Sequence, residues 1–280
     1  VRNIPARHIS EAIKNLCIRA NYELPEDVLR ALKSAHRTET NSRARDILQQ
    51  LIDNARIART KKIPLCQDTG VAIVFVETGH DVKITGGTLT EAIHAGILQG
   101  YKEGYLRKSI VHHPILRKNT GTNLPAHIHI DHVPGNKIKI HFLAKGGGAE
   151  NCSQIKMFKP TVDPEEIQAF VIGVVKQAGA SACPPVIVGV GIGGTFDKAP
   201  SLAKKALFRK IGSRNKDKTA AEMEKELLAK INQTGIGPSG LGGKTTALAV
   251  FVESFPCHIA SLPVAVNMEC HAHRVKECVI

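Results

Sequence analysis

Residues 163–193 read DPEEIQAFVIGVVKQAGASACPPVIVGVGIG, and this stretch decides the architecture. Asp163-Pro164 opens it as an N-cap followed by a first-turn proline. Apolar residues then recur at helical spacing as far as Gly179, the residue type that helices favour just past their end. After a short break, PPVIVGVGIG (184–193) is a brief, unbroken apolar run, which predicts a buried strand running into glycines. A helix feeding a buried strand is the unit from which mixed α/β folds are made.

The flanking sequence repeats the alternation. Downstream, 197–210 and 219–232 carry helical periodicity, and KTTALAVFVE (244–253) and HIASLPVAV (258–266) read as strands. Upstream, VAIVFVET (71–78) is a β-branched strand. TLTEAIHAGILQGYKEGYL (88–106) begins with threonine caps and continues as a helix. Alternating segments 126–132 and 137–143 flank Pro134-Gly135-Asn136 and predict a hairpin. The first sixty residues are helical, with Ile13, Leu16, Cys17 and Ala20, then Val28, Leu29, Leu32 and Ala35, then Ala44, Ile47, Leu48, Leu51, Ile52 and Ala55. The expectation is one mixed α/β domain over 1–280, with a helical N-terminal layer over about 1–60. There is no internal repeat and no low-complexity linker.

Composition narrows the function. The chain has 280 residues, of which 42% are hydrophobic, enough for a core and too many for a disordered chain. No apolar run reaches the ~18–20 residues of a membrane span. The opening VRNIPARHIS lacks the apolar heart of a secretory signal, so a cytoplasmic protein is expected. Lys+Arg minus Asp+Glu is 38 − 25 = +13. Aromatics are only 4%, with no Trp, which argues against base-stacking platforms and suits small anions at least as well. Seven cysteines, an odd and irregular set, fit reduced thiols or metal ligation better than a disulfide framework.

Two glycine loops imitate nucleotide motifs. Gly189-x-Gly191-x-x-Gly194 follows a strand, but about 20 residues on stands Arg214, where a dinucleotide fold needs an acid. PSGLGGKT (238–245) approximates a phosphate loop, yet proline replaces its first glycine and a helix precedes it. Neither is read as a nucleotide site. The basic stretch 198–218 reads as a solvated face.

Cys66 lies in IPLCQDTG, Cys183 in SACPPV and Cys270 in VAVNMECHAHR, each next to a predicted strand. Their wide spacing is neither a zinc finger nor a ferredoxin run, and by spacing alone three buried thiols would be the plainer reading. Taken together, however, IPLCQDTG, KGGGAENCS, CPPVIVGVGIGG, GPSGLGGKTTAL and HIASLPVAVNMECHAHR follow the order found in the class I fumarase and tartrate dehydratase family. The chain resembles that family from about residue 5 onward, and specifically the α subunit of its two-subunit form.

The resemblance implies a hydro-lyase with a [4Fe–4S] cluster held by Cys66, Cys183 and Cys270, leaving one iron for substrate. Cys17, Cys152, Cys257 and Cys278 would be non-ligands. It implies substrate contacts from Gln67, Arg107 and the Gly146-Gly147-Gly148 loop, and proton work by Asp68 and His258. Relatives commonly read NTGDNTPA where this chain has NTGTNLPA (119–126), so Thr122 and Leu124 depart from the pattern. The family's remaining carboxylate binders and a threonine proposed as base would lie on a separate β subunit, giving an α₂β₂-like assembly. Fumarate hydration to (S)-malate is the leading expectation, with L(+)-tartrate dehydration the alternative. Two readings from other classes are a nucleic-acid-binding module, disfavoured by the few aromatics, and a zinc site using Cys257, His258, Cys270, His271 and His273.

Overall fold

The computed structural model describes all residues, Val1–Ile280. The chain divides into two compact units: Val1–Pro25, Asn54–Gly147 and Arg274–Ile280 form unit 1, and Glu26–Asp53 with Gly148–His273 form unit 2. Mixed α/β architecture holds in both, as the alternation of patterns predicts. Three helices occupy the first sixty residues, α1 (Ala6–Tyr22), α2 (Glu26–Thr38) and α3 (Ser42–Lys61), after a short strand β1 (Arg2–Pro5).

Unit 1 is built on a four-stranded sheet ordered β10-β5-β2-β4. Its strands are β2 (Val71–Gly79), β4 (His127–Val133), β5 (Ile138–Lys145) and β10 (Val275–Val279), and β3 (Val82–Thr85) pairs apart with β1. Helix α4 (Leu89–Glu103) starts at a complete capping box: Thr88 accepts from Glu91 N while Glu91 reaches back to Thr88 N. Such a cap contributes about 1 kcal/mol. The core of this unit joins Ile9, Ile13, Leu16 and Cys17 of α1 and Ile93 and Ile97 of α4 to Val74, Val76, Ile140 and Phe142 of the sheet.

The expected hairpin over 126–143 does not form. Both segments are strands, but β2 lies between them, parallel to β4 and antiparallel to β5. The reason is burial. β2 is apolar on both faces and takes the central place, whereas β4, rich in histidine and partly exposed, suits the edge. His129 stacks on Phe75, its partner across that edge, with ring centroids 4.3 Å apart.

Unit 2 has a second four-stranded sheet, ordered β6-β9-β7-β8: β6 (Gln154–Phe158), β7 (Val186–Gly193), β8 (Ala247–Phe255) and β9 (Leu262–Glu269). Helices α6 (Pro164–Ala178), α7 (Lys198–Ala206) and α8 (Lys218–Asn232) accompany it, together with α2 from the N-terminal part of the chain. Val188 and Val190 of β7 point into a core shared with Val171 and Val175 of α6 and Leu227 and Ile231 of α8. The alternate residues Gly189 and Gly191 point the other way, where a Cβ would come within 2.0–2.1 Å of the Ala203 and Ala199 carbonyl oxygens of α7. The glycines that imitate a dinucleotide motif thus let a helix lie directly on the strand. In the other imitation, Lys244 N donates to Glu39 at 2.7 Å and Gly243 lies against Ala44.

The basic stretch 198–218 is partly engaged within unit 2, while Lys210, Arg214, Lys216 and Lys218 are exposed, as expected of a solvated face. Lys204 pairs with Glu150, Arg209 with Glu224, and Lys198 lies over the Phe255 ring.

Candidate functional site

In unit 1 the loop Cys66-Gln67-Asp68-Thr69-Gly70 leads into β2. The Asp68 carboxylate fastens it: Oδ1 accepts from Gly70 N at 3.0 Å and Oδ2 from Gly147 N at 2.7 Å. The second of these bonds ties the loop to the glycine segment 146–147. A Cβ on Gly146 would meet the Arg274 guanidinium at 2.9 Å and Asp68 Oδ2 at 3.5 Å. The absence of side chains therefore lets this backbone approach both charged groups.

Behind the loop, the Tyr101 hydroxyl of α4 contacts the carbonyl oxygens of Thr69 (2.9 Å) and Gly70 (2.8 Å). Burial pushes the Tyr101 phenol far above its ordinary value, so it stays a donor at any physiological pH. The Asn123 amide, wholly buried, donates to the Gly70 carbonyl at 3.2 Å and accepts from Ser109 N at 2.7 Å. The Thr69 hydroxyl donates to the Arg107 carbonyl at 2.8 Å, which brings the backbone of Arg107 to the loop. The Arg107 residue is itself exposed. Cys66 is half-buried, with its sulfur 3.3 Å from Gln67 Oε1.

In unit 2, Cys183 and Cys270 come to the same end of one sheet. The β7–β9 register pairs Ile187 with Glu269, so Cys270 follows directly after the last β9 residue at the end where Cys183 enters β7. The His271 imidazole lies 2.9 Å from the Cys183 carbonyl oxygen. Cys183 has left-handed backbone angles (φ 53°, ψ 64°). That region costs a non-glycine residue on the order of 1 kcal/mol, and such residues recur at functional sites. Gly148 lies close by, a Cβ there meeting the Ser181 carbonyl at 3.3 Å.

His258 does not join this group. It sits in the exposed loop between β8 and β9, accepting from Ala260 N at 3.1 Å. Eight residues of β9 separate that loop from Cys270, about 25 Å at ~3.3 Å per residue. His258 therefore lies apart from Cys183 and Cys270 within unit 2, and its proton role stays an expectation implied by the resemblance. The same span removes the zinc alternative, because Cys257 and His258 stand at the opposite end of β9 from Cys270, His271 and His273.

Of the other cysteines, Cys17 is buried in α1 with its thiol pushed far up by desolvation. Cys152 packs beside α5 (Gly147–Asn151), Cys257 is in the exposed loop and Cys278 is on β10.

The sequence reading missed Tyr101, Asn123 and Arg274. Arg274 is 1% exposed and donates from Nε to the Ala144 carbonyl at 3.0 Å. The signal for it was present, since an arginine ends the matched segment HAHR. The two departures in NTGTNLPA also find structural work: the Thr122 hydroxyl accepts from Leu124 N at 3.3 Å, and Leu124 packs on the unit 1 core.

The family model described as "Fumarate hydratase (Fumerase)" matches residues 10–279. The chain belongs to that family, the class I fumarase-type hydro-lyases. It is 44% identical over 95% of its length to an L(+)-tartrate dehydratase subunit alpha, a name given provisionally, of Methanocaldococcus jannaschii, covering 95% of that protein. It is 32% identical over 95% of its length to the L(+)-tartrate dehydratase subunit alpha of Escherichia coli O157:H7, covering 88% of it, with the same figures for the Shigella boydii protein of that name. No helix is long and apolar enough to cross a membrane.

Proposed function

We propose that the chain is the α subunit of an L(+)-tartrate dehydratase, which removes water from tartrate to give oxaloacetate, with a [4Fe–4S] cluster as cofactor and a β subunit as partner. The similarity to proteins of that name along nearly the whole chain, 44% and 32% identical, carries this reading. It reverses the order expected from sequence, in which fumarate came first. Hydration of fumarate to (S)-malate stays as the second reading, because the matching family model bears that description.

The residues fit the cofactor. Cys66, Cys183 and Cys270 are in no disulfide and are half-buried or exposed, in loops beside strands. Thiolate is the ligand such clusters take. Cys17 is the opposite case, enclosed in apolar side chains that resist formation of its thiolate. When bound, the cluster would supply a Lewis-acidic iron for the poor hydroxide leaving group.

The chain's own residues would do the rest. Gln67 and Asp68 directly follow a ligand and so stand next to substrate. Asp68 uses one lone pair on each oxygen for Gly70 and Gly147, which fixes its direction and leaves further lone pairs to take a proton from carbon. The Arg107 guanidinium suits one carboxylate of the diacid bidentately. The Gly146–Gly148 backbone lets the other parts of substrate approach closely. Turnover of L(+)-tartrate, (S)-malate and fumarate by the reconstituted α/β pair tests the reading. Tartrate is expected as the best substrate by kcat/KM, and a preference for malate and fumarate overturns it in favour of the second reading.

A further inference from the structure

Between α4 and β4, unit 1 extends a narrow arm. Val111 and Asn119 form an antiparallel bridge. Next to it, His112 N donates to the Lys118 carbonyl (2.8 Å) and Thr120 N to the Ile110 carbonyl (2.8 Å). The turn is locked from within: His113 Nδ1 accepts from Ile115 N (3.2 Å) and Leu116 N (3.3 Å), and Arg117 N donates to the His113 carbonyl (2.9 Å). The Asn119 amide donates to the Lys108 carbonyl at 2.8 Å. This conformation is specified by its own hydrogen bonds, so little ordering remains to be done on binding.

What the arm holds out is unusual for a free surface. Ile115 and Leu116, adjacent at the tip, are 80% and 77% exposed. Around them Lys108, His112, His113, Arg117 and Lys118 are exposed, and no Asp or Glu occurs between Glu103 and Asp131. A paired aliphatic tip flanked by the cations Lys108, Arg117 and Lys118 fits an apolar pocket rimmed by carboxylates. A second copy of this chain is a poor host, because each copy carries a formal charge of +13. A small anion has no use for the tip.

The base of the arm is fastened to the loop that follows Cys66. Asn123 binds Ser109 N and the Gly70 carbonyl, and Thr69 binds the Arg107 carbonyl. We propose that residues 108–120 are a preorganised docking arm for the β subunit, inserted tip-first into an acid-rimmed apolar pocket, so that seating of the β subunit bears on the 66–70 loop. This rests on the α-subunit reading above.

The test is association of the full chain with its cognate β subunit, measured as a Kd by sedimentation and by biosensor kinetics. Ile115→Glu/Leu116→Glu is expected to weaken the complex at least tenfold, with an unchanged circular dichroism spectrum and melting temperature. Arg117→Glu/Lys118→Glu, which leaves the tip intact, is expected to slow association and flatten its salt dependence. An unchanged α/β affinity in the tip variant overturns the proposal. So does loss of α–α self-association with α/β affinity preserved, or failure of the wild-type chain to bind the β subunit at all. Activity separates the two readings: an α/β complex that depends on the tip but turns over neither tartrate nor malate refutes the proposed reaction and supports the arm.

Discussion

The two stretches that carry the proposed ligands are held in place by different means. Around Cys66 the work is done by side chains: the Asp68 carboxylate, the Tyr101 phenol and the Asn123 amide each bind backbone of the loop or its neighbour. Around Cys183 and Cys270 it is done mostly by backbone, through the β7–β9 register and the left-handed turn at Cys183, with the His271 imidazole adding one side-chain contact to the Cys183 carbonyl. Side-chain pins can be removed one at a time with local effect. A strand register cannot be altered without the sheet, so position there is bound up with the stability of unit 2.

The largest expected effect cuts across both regions. Serine at Cys66, Cys183 or Cys270 is expected to abolish the brown cluster absorption after anaerobic reconstitution, while Cys17→Ser keeps it. Full cluster content in any of the three removes that residue from the ligand set. Next, Asp68→Asn is expected to lower turnover by about 10²–10⁴-fold, the range of general acid–base loss, with cluster content intact. Wild-type kcat in that variant takes Asp68 out of the mechanism. Tyr101→Phe tests a pin without touching substrate groups. It removes the one phenolic proton that the Thr69 and Gly70 carbonyls share, of which Gly70 keeps the Asn123 amide, and is expected to cost about 1–3 kcal/mol in urea unfolding; a change under half of that makes the pin dispensable.

Cys183→Gly sharpens the contrast from the other side. Relief of the left-handed strain is expected to stabilise the cluster-free protein by roughly 1 kcal/mol, even as the ligand is lost. A drop in stability would mean the turn is not strained.

The smallest effects are in pH. The raised Tyr101 phenol contributes stability fully below its ordinary value near 10, and loses it as pH climbs beyond that value. In unit 2, burial of Glu39 works to raise its carboxyl, but N–H donors from Asn41, Lys244 and Thr40 outweigh it and hold it low. Its contribution is therefore present above the ordinary value of 4.5 and lost as pH falls below it. Tyr101→Phe should flatten the alkaline limb of a melting-temperature profile and Glu39→Gln the acid limb, each without moving the other.

Much of the fold was legible because its signals are local. The Thr88 capping box, the Asp163-Pro164 start and the apolar run of β7 each announce an element within a few residues. Pairing is not local, which is why β4 and β5 read as a hairpin although β2 separates them. The Cys66 and Cys270 motifs were legible as a set, through resemblance. Tyr101 was not, since an aromatic residue at helical spacing reads as core until its hydroxyl is located. Nor was the separation of His258 from Cys270, because twelve residues of sequence do not say which end of a strand each occupies.

Strand β10 has one more consequence, and it concerns the order in which the chain is made. Unit 1 is completed by residues 274–280, which come after all of unit 2 in sequence, and β10 is what covers the outer edge of β5. Until those residues emerge from the ribosome, Ile138–Lys145 presents a long apolar strand with a bare hydrogen-bonding edge, the kind of template that recruits other chains into aggregates. A message cut short just before Arg274 would yield an intact second unit tethered to a sticky first one, and a cell expressing the chain has to shelter that nascent edge throughout translation of the second unit.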